Sequence, residues 1–182
     1  MSIIVYSPEE MVIVADRFVM NTKQIRVGFG EVSFDHHTKV HISEDNHFAY
    51  CFEITQENKF IPVILNFIKR FESGQLEKEE KLEITSDVPF CVGIMSRRHF
   101  YMCDSRVKDN KLTIQHTMWS NHYTETVLYR ALQLPAVKVW QVIGELTGVA
   151  HSLDYDVVKA SQLTLIKKTP KKTKPKKDEV TQ

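Results

Sequence analysis

The strand-like runs of this chain do not alternate. SIIVYS (residues 2–7), MVIVA (11–15), FCVGIM (90–95) and FYMC (100–103) are apolar at nearly every position, whereas a strand with one face in water reads apolar and polar by turns. Runs of this kind need cover on both faces. Two sheets stacked against each other with helices outside account for several such runs better than one half-exposed sheet.

Helical segments to serve as that cover are present. Phe60, Ile61, Ile64, Phe67, Ile68 and Phe71 recur at three- and four-residue spacing in a helix that starts near Gln56 and ends at Gly74. Val127 to Leu134 form a second periodic segment, stopped by Pro135, and Val137 to Val149 a third. The strands group by hairpins. Pro8-Glu9-Glu10 turns residues 2–7 back onto Met11–Val19, and the polar stretch NTKQIRVGFGEVSFDHH (21–37) loops out. Strands around 37–42 and 47–54 are separated by Ser43 to Asn46. Residues 89–96 and the HFYMCD run pair through Arg97-Arg98, and 111–118 and 156–166 supply two further strands. Hairpin-grouped strands with grouped helices indicate an α+β domain rather than alternating βαβ units. The expected architecture is a four-layer αββα sandwich, two mainly antiparallel sheets between helical layers.

A length of 182 residues suits one domain with a sizeable core. The domain spans 1–166, because KKTPKKTKPKKDEVTQ (167–182) has almost no apolar residue and reads as a disordered, extended tail. Seven of the 24 basic and two of the 23 acidic residues lie in that tail, leaving 17 and 21, a body at −4. The run Lys167 to Lys177 either solubilises the chain or makes weak contacts with nucleic acid. No apolar run reaches the roughly 18 residues that would span a membrane, and MSIIVYSPEE has no basic segment or cleavage site of a secretory signal. Cys51, Cys91 and Cys103 lack ligand-like spacing and read as core residues of a cytoplasmic protein.

One residue breaks the pattern of the second run. Asp16 follows Val12-Ile13-Val14-Ala15 directly, and a carboxylate in an apolar strand is costly unless something pairs with it or uses it. The text Val12-Ile13-Val14-Ala15-Asp16-Arg17, with Lys39-Val40 at the next strand and the element order above, resembles the proteasome β-subunit branch of the N-terminal nucleophile (Ntn) hydrolases. The resemblance covers residues 2 to 166. It implies that Ser2, exposed as first residue by removal of Met1, is the nucleophile, with its own α-amine as base. It implies further that Lys39 is the activating cation, Asp16 its partner, and Ser120 an auxiliary hydroxyl near the amine. No cofactor is implied, and a homo-oligomer is.

The chain also departs from that family. Ala49-Tyr50-Cys51-Phe52-Glu53 has no glycine where the family has a glycine-rich turn for the oxyanion, and Trp119 and Asn121 flank Ser120 in place of glycines. The family's second helix shrinks here to the charged connector QLEKEEKLEITSD. These departures weigh towards an inactive member. Two functions therefore stand side by side: a peptide or amide hydrolase, and a non-catalytic self-assembling protein that binds a protein partner, or nucleic acid through its tail.

Simpler readings accompany the other motifs. Asp16 and Lys39 would also serve as a structural ion pair that fixes strand register. Asp35, His36, His37 and His41 are an unconvincing metal set, because Lys39 would share the face of His37 and His41. Arg97-Arg98-His99 reads as a solvated hairpin tip, and Phe67, Phe71, Tyr123, Tyr129 and Trp140 as core or subunit interface. No phosphate loop, zinc spacing or dinucleotide fingerprint is present.

Overall fold

The structure is a computed structural model that describes residues 3–20, 34–36, 38–52, 60–77, 80–84, 90–104, 112–121, 126–127, 130–147 and 155–170, with 18–20, 34–36, 52 and 147 described by backbone alone. Ser2, Gly28, Gly30, His37, His122, the 151–154 stretch and the tail from 171 lie outside the described residues.

Strands β1 (Ile4–Ser7) and β2 (Val12–Asp16) form the expected hairpin, in register from Ile4 opposite Ala15 to Ser7 opposite Val12. With β10 (Trp119–Ser120) and β11 (Tyr155–Lys159) they make a four-stranded sheet in the order β10-β1-β2-β11. Strands β5 (His41–Ile42), β6 (Ala49–Phe52), β7 (Cys91–Met95), β8 (Phe100–Asp104) and β9 (Leu112–Gln115) make a five-stranded sheet in chain order. All the described pairings are antiparallel.

The absence of alternation now has its cause. Ile4, Tyr6, Ile13 and Ala15 face Ala49, Cys51, Met95, Phe100 and Met102 of the other sheet in one core. Their neighbours Val5, Val12 and Val14 face outward and pack under helix α2 (Ala136–Thr147) with Val139, Trp140 and Ile143. Val92, Ile94, Tyr101 and Cys103 likewise pack under helix α1 (Ile61–Ser73) with Ile61, Ile64 and Ile68. Three apolar layers separate four structural ones. In β1, β2 and β7 each residue is buried whichever face it takes.

Local chemistry sets the helix ends. Pro62 lies in the first turn of α1, and Gly74 closes it in the left-handed conformation (φ 77°), with hydrogen bonds back to Arg70 and Phe71. The N-terminus of α2 is satisfied from a distance: Glu10, in the β1–β2 turn, accepts the N–H of Ala136 at 2.7 Å. A carboxylate there complements the positive end of the helix and ties α2 to the hairpin it covers. All three cysteines are buried and none is in a disulfide.

Several expectations are corrected. The Met11–Val19 run does not continue as one strand: β2 ends at Asp16, and β3 (Phe18–Met20) pairs with β4 (Phe34–His36) in a separate ribbon. Residues 34–36 are therefore strand, within a segment that composition read as loop. Ser120 itself lies in a strand, β10. The last strand stops at Lys159, and a single 3-10 turn (Ala160–Gln162) opens a strap that runs across the hairpin ends. Only Leu163 and Ile166 of residues 163–170 are buried. The backbone of the strap is satisfied off the ladder. Arg97 donates to the carbonyls of Ser161 (2.9 Å) and Leu163 (3.0 Å), Thr164 N–H donates to Asn46, and Thr169 N–H to Ser73.

The turn between β5 and β6 yields a pH-dependent prediction. Burial raises the Asp45 carboxyl, but hydrogen bonds from Lys69, Ser43 and His47 outweigh it and lower the group from 3.8 to about 2. The stabilisation is complete above the unfolded value and is lost as pH falls through about 2. Both partners of the Lys69–Asp45 pair are about two-fifths exposed, which limits it to about 1 kcal/mol. Asp45→Asn should lower the urea midpoint at pH 6, and that gap should close between pH 4 and pH 2.

Candidate active site

Asp16 is 3% exposed at the end of β2, and its two oxygens do different things. Oδ1 accepts the N–H of Ile3 at 2.7 Å, and Oδ2 accepts the Lys39 ammonium in an ion pair. Lys39 arrives just ahead of β5, with its side chain 14% exposed. Val40, the next residue, is buried between the sheets and anchors that approach. A pair this buried is stable only as a pair, because either charge alone would be desolvated without compensation.

The start of β1 is held from three sides. Asp16 N–H donates to the Ile3 carbonyl at 3.2 Å, and Trp140 Nε1 of α2 donates to the same oxygen at 3.2 Å. Asn121 Oδ1 accepts the N–H of Ile4 at 3.0 Å. Neither Trp140 nor Asn121 was singled out for this role by sequence. A buried indole N–H does require an acceptor, but which one is a matter of tertiary structure.

Further charges lie close by. Arg17 Nε is 3.5 Å from Asp156 Oδ1 of β11, and Arg17 Nη2 is 3.5 Å from Thr38 Oγ1, one residue before Lys39. The Cys51 thiol is fully buried on β6. Burial pushes its pKa well up, Asp156 adds to the rise, and Lys39 acts against it. It stays a neutral core thiol rather than a nucleophile.

Of the sequence candidates, Asp16 and Lys39 are brought into contact. Ser120 is fully buried on β10, across from Val5 of β1. Ser2 lies outside the described residues. His41 is exposed and stacks on Tyr50, with ring centroids 5.5 Å apart. Among the described residues no group of three or more His, Cys, Asp or Glu is arranged to hold a metal, and no helix is long and apolar enough to cross a membrane.

No family model and no curated protein matches the sequence. Among solved structures, the chain is similar to eukaryotic HslV from Trypanosoma brucei, a proteasome-type Ntn hydrolase. The match covers 86% of this chain and 97% of that one, with a TM-score of 0.52 and 15% identity. The chain has a proteasome-type Ntn fold. BPH from Thiobacillus denitrificans also matches, over 87% of this chain and 97% of that one (TM-score 0.44, 13% identity). So does its complex with epoxomicin, over 88% and 99% (TM-score 0.45, 12% identity). In this Ntn-type fold β1, β2 and α2 converge on the first described residues, and Asp16 turns that convergence into a link to Lys39.

Proposed function

We propose that the chain is a hydrolase of peptide or amide bonds whose nucleophile is Ser2, the first residue once Met1 is removed. The observation that carries this reading is the double role of Asp16, which holds the Ile3 N–H and the Lys39 ammonium at once. It sets a cation beside the start of β1, where the chemistry of an N-terminal hydroxyl needs one. The free α-amine of Ser2, with an ordinary pKa near ~8, takes the hydroxyl proton as Oγ attacks the substrate carbonyl. Lys39 favours the negative charge that develops at Oγ and is itself held in place by Asp16. Collapse of the tetrahedral adduct expels the amine product, which carries off the proton held by the Ser2 ammonium, and leaves an ester on Oγ. Water, deprotonated by the same amine, cleaves the ester and returns the proton to Oγ. Ser120 is the auxiliary hydroxyl of this reading. A homo-oligomer belongs to it as well: Leu132 and Leu146, each about two-thirds exposed on the helical side of the four-stranded sheet, offer apolar surface to a second copy.

One observation favours a non-catalytic assembly protein instead. Trp119 and Asn121, on either side of Ser120, are both structural: Trp119 packs on Tyr6 at 5.4 Å and Asn121 holds Ile4. Intact mass after incubation with a β-lactone electrophile separates the two. Loss of Met1 and a single adduct, absent from Ser2→Ala, is expected of the hydrolase. A retained Met1, or a processed chain that takes no adduct, would assign the chain to assembly.

A further inference from the structure

Two basic groups that lie far apart in the sequence meet on one face. Arg98 and His99 at the β7–β8 hairpin tip and Lys168 of the strap line a hollow of about 340 Å³ together with Phe71 and Glu72 from the end of α1. Glu72, the acid among its described lining, is only 7% exposed, and its carboxylate accepts the hydroxyls of Ser96 and Tyr101, the latter at 2.9 Å. The cations are placed rather than trailing. Arg97 clasps the carbonyls of Ser161 and Leu163, and Thr169 is bonded to Ser73 and Gln75, so exposed Lys167 and Lys168 are held beside the hairpin. Among the described residues no ion pair neutralises Lys167 or Lys168, and Arg98 Nη1 donates to the Glu72 carbonyl at 3.4 Å. Phe71 leaves 45% of its surface exposed beside them. Five further lysines, Lys171, Lys172, Lys174, Lys176 and Lys177, follow in the sequence.

We infer that this face binds single-stranded nucleic acid, with Arg98, Lys167 and Lys168 against phosphates and Phe71 against a base. Lysines and an arginine around one exposed aromatic side chain form the combination that single strands use: charge follows the backbone and a ring accepts any base. The inference is independent of the hydrolase reading, because none of these residues belongs to the Asp16–Lys39 site. An acidic polypeptide would use the cations but would have no base to set on Phe71.

The test is fluorescence anisotropy of the full chain with a labelled 20-nucleotide oligo-dT. Affinity should fall on the order of 10²-fold between 50 and 200 mM salt, as release of several counterions requires. Lys168→Glu should weaken binding about 10-fold through charge reversal, and Phe71→Ala about 5-fold or more through lost stacking. Both side chains are exposed, and matched thermal melts with wild type would show the fold intact. Unchanged affinity in both variants, with binding abolished by replacing the five tail lysines with glutamine, would overturn the inference in favour of the tail alone. Displacement of the oligonucleotide by polyglutamate at equal charge concentration would overturn it in favour of an acidic polypeptide, and no binding at 50 mM salt would overturn it outright.

Discussion

Asp16→Ala should destabilise the fold by about 3–5 kcal/mol, because it strands the Lys39 ammonium in a largely dry site and leaves the Ile3 N–H without its acceptor. Urea unfolding at neutral pH reads this as a lowered midpoint at unchanged slope. A loss below about 1 kcal/mol would mean that the pair is solvated, against its burial. Lys39→Met on its own should cost a comparable amount, since the carboxylate is then the unpaired charge. The pair Asp16→Asn with Lys39→Met removes both charges and keeps an acceptor for Ile3, so it should recover most of the loss. That double variant also separates structure from chemistry. With stability restored and the β-lactone adduct gone, the pair acts in catalysis; with stability restored and adduct formation unchanged, it only fixes the strand.

Gly93→Ala should be nearly as damaging, although it adds a single methyl group to an apolar strand. A Cβ at Gly93 would meet the Tyr6 ring, lying 2.6 Å from Cε1 and 2.7 Å from the hydroxyl oxygen, with Cζ closer still. The ring has nowhere to go. Tyr6 is 2% exposed, packs edge-on against Phe100 at 4.8 Å and against Trp119, and its hydroxyl donates to the Cys51 carbonyl at 3.3 Å. Overpacking of a rigid core of this kind costs about 3 kcal/mol or more when backbone must shift. Thermal and urea unfolding of Gly93→Ala measure it. Tyr6→Leu, added to Gly93→Ala, should cost less than the two single changes together, because the smaller side chain gives up the disputed space. Simple additivity would place the damage elsewhere than at this contact.

The layer architecture was legible because it depends on burial, and burial leaves its mark on composition. Runs such as VIVA and CVGIM are apolar at every position only where both faces are covered, so the αββα sandwich followed from them and from the α1 periodicity. Elements whose identity depends on a distant partner were not legible. Phe34–His36 is a strand because Phe18–Met20 lies beside it, and nothing within FDH says so. Ser120 pairs with Val5 across more than half of the chain. Leu163 and Ile166 are spaced for an irregular strap rather than a strand, a distinction that three apolar residues in ten cannot make. The Asp16–Lys39 contact was readable because a carboxylate in an apolar strand demands a partner. The bonds from Trp140 and Asn121 to β1 were not, since both side chains have many possible partners until the layers are assembled.

The route of the chain through its two sheets carries a consequence for how the molecule comes into being. Strands β5 and β6, and likewise β7 to β9, follow one another closely in the chain, so those pairings close short loops and can form early. The other sheet is stitched from opposite ends of the sequence: β2 has β1 on one side, but its second neighbour is β11, with Val14 opposite Val157. Until residues 155–159 arrive, the VIVA run presents an open, uncharged, strongly β-forming edge, the kind of template on which other chains nucleate. A nascent or truncated chain that stops short of β11 would thus gather into aggregates, and a holdase that shields one edge would be enough to rescue it.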